Sequence, residues 1–247
     1  TQSTWGPNRS IFSTFDHMDN LIPNLEIVKN AAGIAGNVFA FALFVSPMPT
    51  FRRIVRNQST EQFSGLPYIY ALLNCLITFW YGTPLVSNDN IPIVTVNALG
   101  AAFQLVYVIL FIIYSENSGK ANMVIYLGGV VGTFCAVAVA SLLIEDRNAR
   151  WICMGLVSCF SLISMFASPL CIIRLVIRTR SIEYMPFYLS LAMFLMSTSF
   201  CVYGCLNFDE FVFIPNGIGT LLGTAQLIIY CYYKPRSKML SQPFLDA

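Results

Sequence analysis

The sequence predicts an all-α membrane protein in which seven transmembrane helices form two parallel three-helix repeats joined by one linker helix. Three observations lead to this prediction: long apolar stretches, scarce charge, and a motif that recurs 119 to 122 residues later. Of the 247 residues, 56% are hydrophobic and only 11% are charged, and the mean hydropathy is +0.66. A soluble domain needs more polar surface than this composition provides.

Seven apolar stretches are each long enough to cross a bilayer, which takes roughly 20 residues in a helical conformation. The connections between them are too short to contain a soluble domain of useful size. The predicted spans are residues 32–50, 67–86, 91–114, 121–144, 151–173, 184–206 and 211–233.

The internal repeat is marked by prolines that end the first helix of each copy and open the second. Pro47 and Pro169 are 122 residues apart, whereas Pro67 and Pro186 are 119 residues apart. A three-helix unit ends on the opposite face of the membrane, so the remaining span lets the second copy enter with the same orientation. We therefore predict an N-terminal tail, a first repeat, a linker helix, a second repeat and a C-terminal tail at residues 1–30, 31–115, 121–144, 150–233 and 234–247.

The basic residues are concentrated on one side of this arrangement. Ten Lys and Arg residues fall on the side of the 51–66, 115–120 and 174–183 loops and the C-terminus, against four on the other side. The positive-inside rule places the richer side in the cytosol. The N-terminus is then predicted to be extracellular or lumenal.

Asp, Glu, Lys, Arg and His are absent from all seven predicted spans. Pumps and proton-coupled carriers usually contain such groups within the membrane, and an enzyme would need an acid, a base or a metal ligand where its substrate sits. His17 is the only histidine, and the eight cysteines form no metal-binding motif. The sequence thus predicts no catalytic residue, no metal and no cofactor, and favours a neutral solute that moves down its gradient.

Two asparagines are the candidate solute ligands. Asn97 and Asn216 are 119 residues apart and lie five to seven residues inside their spans, which is roughly 10 Å deep at the rise of an α-helix. A carboxamide offers both acceptors and donors, as a polyhydroxylated ligand requires, and the repeat would direct both amides toward a shared axis near the midplane. An alternative is that each amide only links neighbouring helices.

The four repeat-marking prolines are candidate hinges of a cytosolic gate. Proline removes a backbone donor and kinks a helix, and such positions allow a helix end to move. Ordinary helix ends would explain Pro67 and Pro186 equally well, but explain Pro47 and Pro169 less well because these lie inside apolar sequence.

Several ordered motifs carry a resemblance to a known family: Ala32-Gly33-Ile34-Ala35-Gly36-Asn37, Ser59-Thr60-Glu61, Leu72-Leu73-Asn74-Cys75, Trp80-Tyr81-Gly82, Met185-Pro186-Phe187 and Ile214-Pro215-Asn216-Gly217. Over about residues 30–235 the chain resembles the SWEET (MtN3/saliva) sugar transporters. The resemblance implies a plant facilitator of mono- or disaccharides, with the bilayer and further copies of itself, commonly as a trimer, as its partners and with no nucleic acid.

The resemblance also implies residue roles, which fall into sugar contacts, a cytosolic proline gate and an outer tyrosine–aspartate gate. These are Asn97, Asn216, Thr78 and Phe200 for the sugar, Pro47, Pro67, Pro169 and Pro186 for the cytosolic gate, and Tyr81 with Asp209 for the outer gate. Many members carry Trp where this chain has Phe200, and Phe lacks the indole donor. Phe200 and the stretches 187–190 and 194–197 resemble the subgroup associated with hexoses and with the vacuolar membrane rather than the plasma membrane.

We therefore predict a uniporter that moves a hexose such as glucose in both directions by alternating access. Two alternatives remain: a PQ-loop-type carrier of another small neutral solute, and a seven-helix sugar sensor. The residues alone leave glucose against sucrose open.

Overall fold

The computed structural model describes residues 9–88, 90–183 and 185–240 of the chain. These described residues form nine helical segments: α1 (Arg9–Val45), α2 (Met48–Asn57), α3 (Leu66–Gly82), α4 (Ile91–Tyr114), α5 (Asn117–Leu142), α6 (Arg147–Met165), α7 (Ala167–Thr179), α8 (Phe187–Leu206) and α9 (Glu210–Leu240).

Two of the membrane spans are broken helices, so nine segments make seven spans. The first span breaks between α1 and α2 at Ser46 and Pro47, and the fifth breaks between α6 and α7 at Phe166. Six spans are long and apolar enough to cross a membrane. The remaining one, α3, has 17 residues, which is the short end of the spanning range. The prediction of seven transmembrane helices is confirmed.

The helices at both ends of the chain extend past the predicted spans. Helix α1 begins at Arg9 and runs without a break to Val45, so no helix end separates the predicted tail at 1–30 from the first span. Helix α9 likewise continues past residue 233 to Leu240. Residues 1–8 and 241–247 of the two predicted tails lie outside the described residues.

Each copy of the repeat packs as a bundle, and both bundles run in the same direction. In the first copy α4 packs on α1 and α3, and in the second α9 packs on α6, α7 and α8. The linker helix α5 packs on α3 and α4, with a smaller contact to α6. Between the copies, α1 packs on α8 and α3 packs on α6. Each contact joins the first span of one copy to the second span of the other. The arrangement is the predicted parallel three-one-three plan.

Missing side chains on α1 allow the second copy to approach closely. A Cβ atom added to Gly36 would lie 2.8 Å from Cε2 of Phe200, and one added to Gly33 would lie 3.2 Å from Cδ2 of Tyr203. Both distances are shorter than a comfortable carbon–carbon contact. The α1–α8 interface therefore requires small residues at these two steps.

The two ends of the bundle differ in how they are packed. We call the end with the α3–α4 loop and Asp209 the Asp209 end, and the opposite end the proline end. At the Asp209 end the buried apolar cluster contains residues of both copies, such as Tyr81, Ile93, Met154 and Phe200. At the proline end the buried cluster contains residues of the first copy and α5 alone, such as Phe51, Leu72, Tyr107, Phe111 and Met123.

Candidate functional site

The two predicted solute-binding asparagines have matching environments in the two copies. Asn97 is half-buried and Asn216 is 8% exposed. The side-chain nitrogen of Asn97 donates to the carbonyl oxygen of Ile93 at 2.9 Å, and that of Asn216 donates to the carbonyl oxygen of Val212 at 2.8 Å. Each amide thus uses one donor on its own helix, and between described residues no hydrogen bond is recorded at either amide oxygen. The structure does not bring the two amides into hydrogen-bond contact.

The other two predicted pocket residues lie at the interface between the copies. Thr78 on α3 is 9% exposed, and its hydroxyl oxygen accepts a hydrogen bond of 3.2 Å from Ser158 on α6. Phe200 on α8 is 4% exposed, with its ring against Gly36 of α1. Both residues therefore join one copy to the other in the bundle interior.

The predicted tyrosine–aspartate pair is in direct contact. The hydroxyl of Tyr81 donates to Oδ1 of Asp209 at 2.6 Å, and the indole nitrogen of Trp151 donates to the Tyr81 hydroxyl at 3.0 Å. Tyr81 is fully buried and Asp209 is 4% exposed. Oδ1 of Asp209 also accepts from the backbone nitrogens of Phe211 and Val212, so the same carboxylate caps α9, as expected for Asp at this position.

Asn90 extends this pair into a network that sequence reasoning missed. Its side-chain nitrogen donates to Oδ2 of Asp209 and to the hydroxyl of Ser87, both at 2.7 Å. Its side-chain oxygen accepts from the hydroxyl of Tyr203 at 3.3 Å and from the amide of Asn207 at 3.0 Å. The signal that would have found it is the repeat, because Asn90 precedes Asp209 by the same 119 residues that separate Asn97 from Asn216.

Asn74 is a second residue without a role in the sequence analysis. It lies one helical turn from Thr78 on α3 and is 6% exposed, and its side-chain oxygen is buried with no hydrogen-bond partner among the described residues. Buried polar atoms are rarely left unpaired, so this oxygen is available to a ligand or to water. The repeat gives no signal here, because the corresponding residue of the second copy is Met196.

The four prolines occupy helix ends and breaks at the proline end. Pro47 lies at the break between α1 and α2, and Pro169 is the third residue of α7, just after the α6–α7 break. Pro67 is in the first turn of α3 and Pro186 immediately precedes α8. Pro67 and Pro186 are exposed and the other two are half-buried. All four lie where the backbone already departs from a continuous helix.

Hydrogen bonds between the copies are concentrated toward the Asp209 end. Between described residues, the recorded side-chain bonds that join the copies lie at the Thr78–Ser158 pair, in the Asp209 network and at the α3–α4 loop, with one exception. The exception is the contact of the Tyr70 and Ser164 hydroxyls, which lies nearer the proline end. The two copies are thus joined firmly at one end and weakly at the other.

Comparison with known proteins gives consistent matches over most of the chain. A family model described as a sugar efflux transporter for intercellular exchange matches residues 30–119 and 152–238. A bidirectional sugar transporter named SWEET2, from Arabidopsis thaliana, is 60% identical over 214 residues, covering 87% of this chain and 91% of the relative. A relative from Sorghum bicolor named SWEET2a is 56% identical over 206 residues, covering 83% of this chain and 85% of its own. The 3.7 Å structure of a eukaryotic SWEET transporter has a TM-score of 0.84 at 50% identity, covering 85% of this chain and 99% of that one.

Two parallel three-helix bundles with matched amides in the membrane interior indicate a carrier of small solutes. The chain belongs to the SWEET (MtN3/saliva) family of sugar transporters. It is a multi-span membrane protein of a family whose substrates are sugars. The predictions of family, of fold and of a carrier rather than an enzyme are confirmed.

Proposed function

We propose that this protein is a facilitative, bidirectional carrier that moves a hexose such as glucose by alternating access. The observation that carries the proposal is the pair of matched amides, Asn97 and Asn216, at the same step of two parallel bundles. The seven spans predicted from the sequence contain no Asp, Glu, Lys, Arg or His that would couple transport to protons. A neutral polyol that binds between the copies is the substrate this arrangement suits best.

The sugar would be held by groups that the fold leaves available in the bundle interior. Asn97 and Asn216 present amide oxygens, and Asn74 presents a buried acceptor without a partner. Hydroxyl donors of a sugar pair with such oxygens, and satisfying a buried polar atom is favourable. Thr78 and the ring of Phe200 complete the set, the latter as an apolar face for the sugar ring.

The two ends would act as alternating gates. The Tyr81–Asp209–Asn90 network supports a role as the gate at the Asp209 end, which is closed in this conformation. The helix breaks at Pro47 and Pro169 support a hinge at the proline end, where few hydrogen bonds oppose separation of the copies. Opening of the Asp209 end then requires that the network break while the proline end closes.

Counterflow of radiolabelled glucose into proteoliposomes tests the proposal. Asn97→Ala and Asn216→Ala should each lose at least about tenfold of the flux, because each removes a hydrogen-bonding side chain that a site built around sugar hydroxyls needs. Thr224→Ala is the matched control: its exposed hydroxyl bonds only to the carbonyl of Thr220 on its own helix, so its flux should be unchanged.

The same assay separates the alternatives. Normal flux in both folded Asn variants would remove the proposed site. Saturable glucose binding by the wild-type protein without counterflow would instead indicate a sensor. A panel that includes sucrose and a neutral amino acid distinguishes a hexose carrier from a carrier of another neutral solute.

Orientation and compartment form a separate proposal. The excess of Lys and Arg in the loops of the proline end supports a cytosolic proline end and C-terminus with the N-terminus lumenal, and the Phe200-type subgroup supports the vacuolar membrane. Protease protection of a C-terminal epitope in intact vacuoles tests both. Protection of that epitope, or its absence from the vacuolar membrane, contradicts the corresponding half.

Assembly as a homotrimer is also proposed, with α5 available to another copy. A Cβ added to Gly128, Gly129 or Gly132 would meet nothing within 4 Å, and small residues at this spacing favour close helix packing in membranes. The mass of the protein in detergent, measured by light scattering, should correspond to three chains. Gly128→Leu with Gly132→Leu should reduce it, whereas an unchanged mass would exclude α5 from the interface.

A further inference from the structure

A polar cleft lies at the Asp209 end, outside the closed network. Its volume is about 220 Å³, which is far more than a single bound water requires. The buried network residues Asn90 and Asp209 form its floor, and exposed residues form its rim, namely Asn88, Arg147, Asn148 and Phe208. The predicted gate does not explain why polar and aromatic groups should surround its outer face.

The floor of the cleft has little hydrogen-bonding capacity left. Both atoms of the Asn90 amide are already paired, and both oxygens of Asp209 accept bonds from the network and from α9. The rim, in contrast, retains capacity. Asn148 has no recorded side-chain bond to a described residue, and Arg147 uses only Nη2, toward Pro84 and Asn88. The rim therefore offers free amide and guanidinium groups above a satisfied floor.

Phe208 adds an aromatic surface to this rim. Its side chain is 88% exposed and its backbone has a φ of 51°, a conformation that is unusual for a bulky residue. This left-handed residue ends α8, where the backbone nitrogen of Asp209 donates to the carbonyl oxygen of Gly204, and the turn leaves the ring exposed at the rim. Stacking on the apolar face of a sugar ring is a common use of such an aromatic group.

The charges that line the cleft argue for a neutral ligand. Among the described residues of its lining, Arg147 and Asp209 are charged, so groups of both signs are present. An anion would meet the Asp209 carboxylate and a cation would meet the Arg147 guanidinium. A neutral polyol, in contrast, can use donors and acceptors of the rim without an uncompensated charge.

We propose that this cleft is an outer docking subsite for a neutral sugar, which binds against Phe208 and Arg147 and covers Asn148 while the gate beneath it is closed. The inference rests on the proposed transport function for the identity of the sugar. It differs from the site between the copies, because it is occupied without any movement of the Asp209 network.

Protection of an introduced cysteine tests this subsite. Asn148→Cys in the full-length protein in lipid nanodiscs is labelled with a membrane-impermeant maleimide, with the wild-type protein as the blank for native cysteines. Glucose should slow the labelling by a factor of 1 + [L]/Kd, so about tenfold at a concentration near ten times Kd. The matched control is Glu145→Cys, which is exposed on the same face but does not line the cleft, and its rate should not change.

Repeating the test in a protein that lacks the interior site makes it specific for the outer cleft. In Asn97→Ala/Asn216→Ala protein the protection of Asn148→Cys should persist, whereas its loss there would mean that the interior site controls accessibility, and would overturn the proposal. Equal labelling with and without glucose, or protection by glucose 6-phosphate alone, would overturn it as well. Failure of the proposed transport function would appear in a different measurement, as wild-type protein that shows no glucose flux.

A second variant probes the aromatic surface without loss of fold. Phe208→Asn removes the ring but places a residue that tolerates positive φ at this step. Glucose should then protect Asn148→Cys with a Kd about three- to tenfold higher, which is the contribution expected of one aromatic contact. An unchanged Kd would exclude Phe208 from the subsite.

Discussion

The two copies of the three-helix unit agree in packing but differ in polar chemistry. Gly33 of the first copy is approached by Pro92, and Gly155 of the second, 122 residues later, is approached by Phe211. Left-handed residues end the corresponding helices in both copies, with a φ of 51° at Gln58 and 55° at Arg180. The backbone plan is thus retained wherever a close contact or a tight turn depends on it.

The polar differences concentrate at the Asp209 end. Asn90 and Asp209 are related by the repeat and contact each other, so they lie where the axis between the copies passes. Two carboxylates at such a place would repel, and two amides would lack a charged acceptor for Tyr81. An amide opposite a carboxylate satisfies both requirements. Each copy has a tyrosine at the corresponding step, and only one of them has a charged acceptor: Tyr81 donates to Asp209, whereas Tyr203 donates to the amide oxygen of Asn90.

Asn90→Asp places the same residue type at both repeat-related positions, 90 and 209, and should have the largest effect. The new carboxylate would lie beside Asp209 in a site where Asn90 is 2% exposed and Asp209 is 4% exposed. A buried and uncompensated charge costs on the order of 3 kcal/mol. The melting temperature in detergent should fall markedly at neutral pH, and it should recover on acidification because one of two adjacent carboxyls then takes up a proton.

The same loop provides the control for Asn90→Asp. Asn88 is exposed and accepts a 2.5 Å hydrogen bond from Arg147, so Asn88→Asp gains a charged partner and should leave the melting temperature nearly unchanged. Equal melting temperatures for Asn90→Asp and the wild-type protein would show that the two axis positions need not differ.

Tyr81→Phe removes the tyrosine hydroxyl whose acceptor is charged and keeps its counterpart Tyr203, and it should have the next largest effect. It removes the donor to Asp209 and the acceptor of Trp151, and a hydrogen bond to a charged group contributes about 1.5 to 3 kcal/mol. The equilibrium constant for closure of the Asp209 end should fall roughly tenfold or more. Spin labels at Leu85 and Glu210, one in each copy, should then show a longer distance component.

Tyr126→Phe is the matched control for that measurement. Tyr126 is 45% exposed on the linker helix, away from the network, so the distance distribution should be that of the wild-type protein. A Tyr81→Phe distribution identical to this control would mean that the hydroxyl does not hold the Asp209 end closed.

Gly100→Ala and Gly219→Ala test whether the two bundles are packed equally tightly at corresponding positions. A Cβ at Gly100 would lie 2.7 Å from Cζ of Phe44, and one at Gly219 would lie 2.6 Å from the hydroxyl oxygen of Ser197. Overpacking of this kind costs about 1 to 3 kcal/mol, so both variants should melt at lower temperature. Gly217→Ala meets only Sγ of Cys201, at 3.8 Å, and should be neutral or slightly stabilising. A loss at only one of the two sites would show that one bundle adapts where the other does not.

Features that repeat along the chain were predictable from the sequence, and features that depend on a contact between copies were less so. Apolar length fixed the number of spans, and the spacing of prolines and asparagines fixed the plan of three, one and three. The contact of Tyr81 with Asp209 was reached only through the family resemblance. Asn90 was missed because an amide in a loop has no distinctive pattern until its partner across the axis is known.

Helix breaks show the same limit on a smaller scale. Both copies have a proline at the end of the first span, yet the first breaks at Pro47 and the second breaks at Phe166, three residues before Pro169. Proline fixes where a helical hydrogen bond is missing, but packing decides on which side of that gap the chain bends. The sequence therefore predicts a break without its residue number.

The smallest effect is expected at the loop after α2, where the copies differ by one ion pair. Nε and Nη2 of Arg53 donate to the two carboxylate oxygens of Glu61 at 3.0 and 2.6 Å, whereas the second copy has Leu175 at the position of Arg53. The hydrogen bond from Arg53, followed by that from Asn57, lowers the pKa of Glu61 below its ordinary value. A lowered pKa in the folded state means that the pair contributes at neutral pH and loses its contribution as pH falls through that lowered pKa.

Hydrogen exchange of the two corresponding loops should reveal this difference. After correction for the intrinsic pH dependence, exchange in residues 58–65 should become faster on acidification and in high salt, whereas residues 180–183 should respond to neither through such a pair. Glu61→Gln should remove the acid response of the first loop and leave the second unchanged. An acid response that persists in Glu61→Gln would mean that the loop is ordered by its left-handed turn at Gln58 rather than by the ion pair, and the two copies would then be equivalent at this end as well.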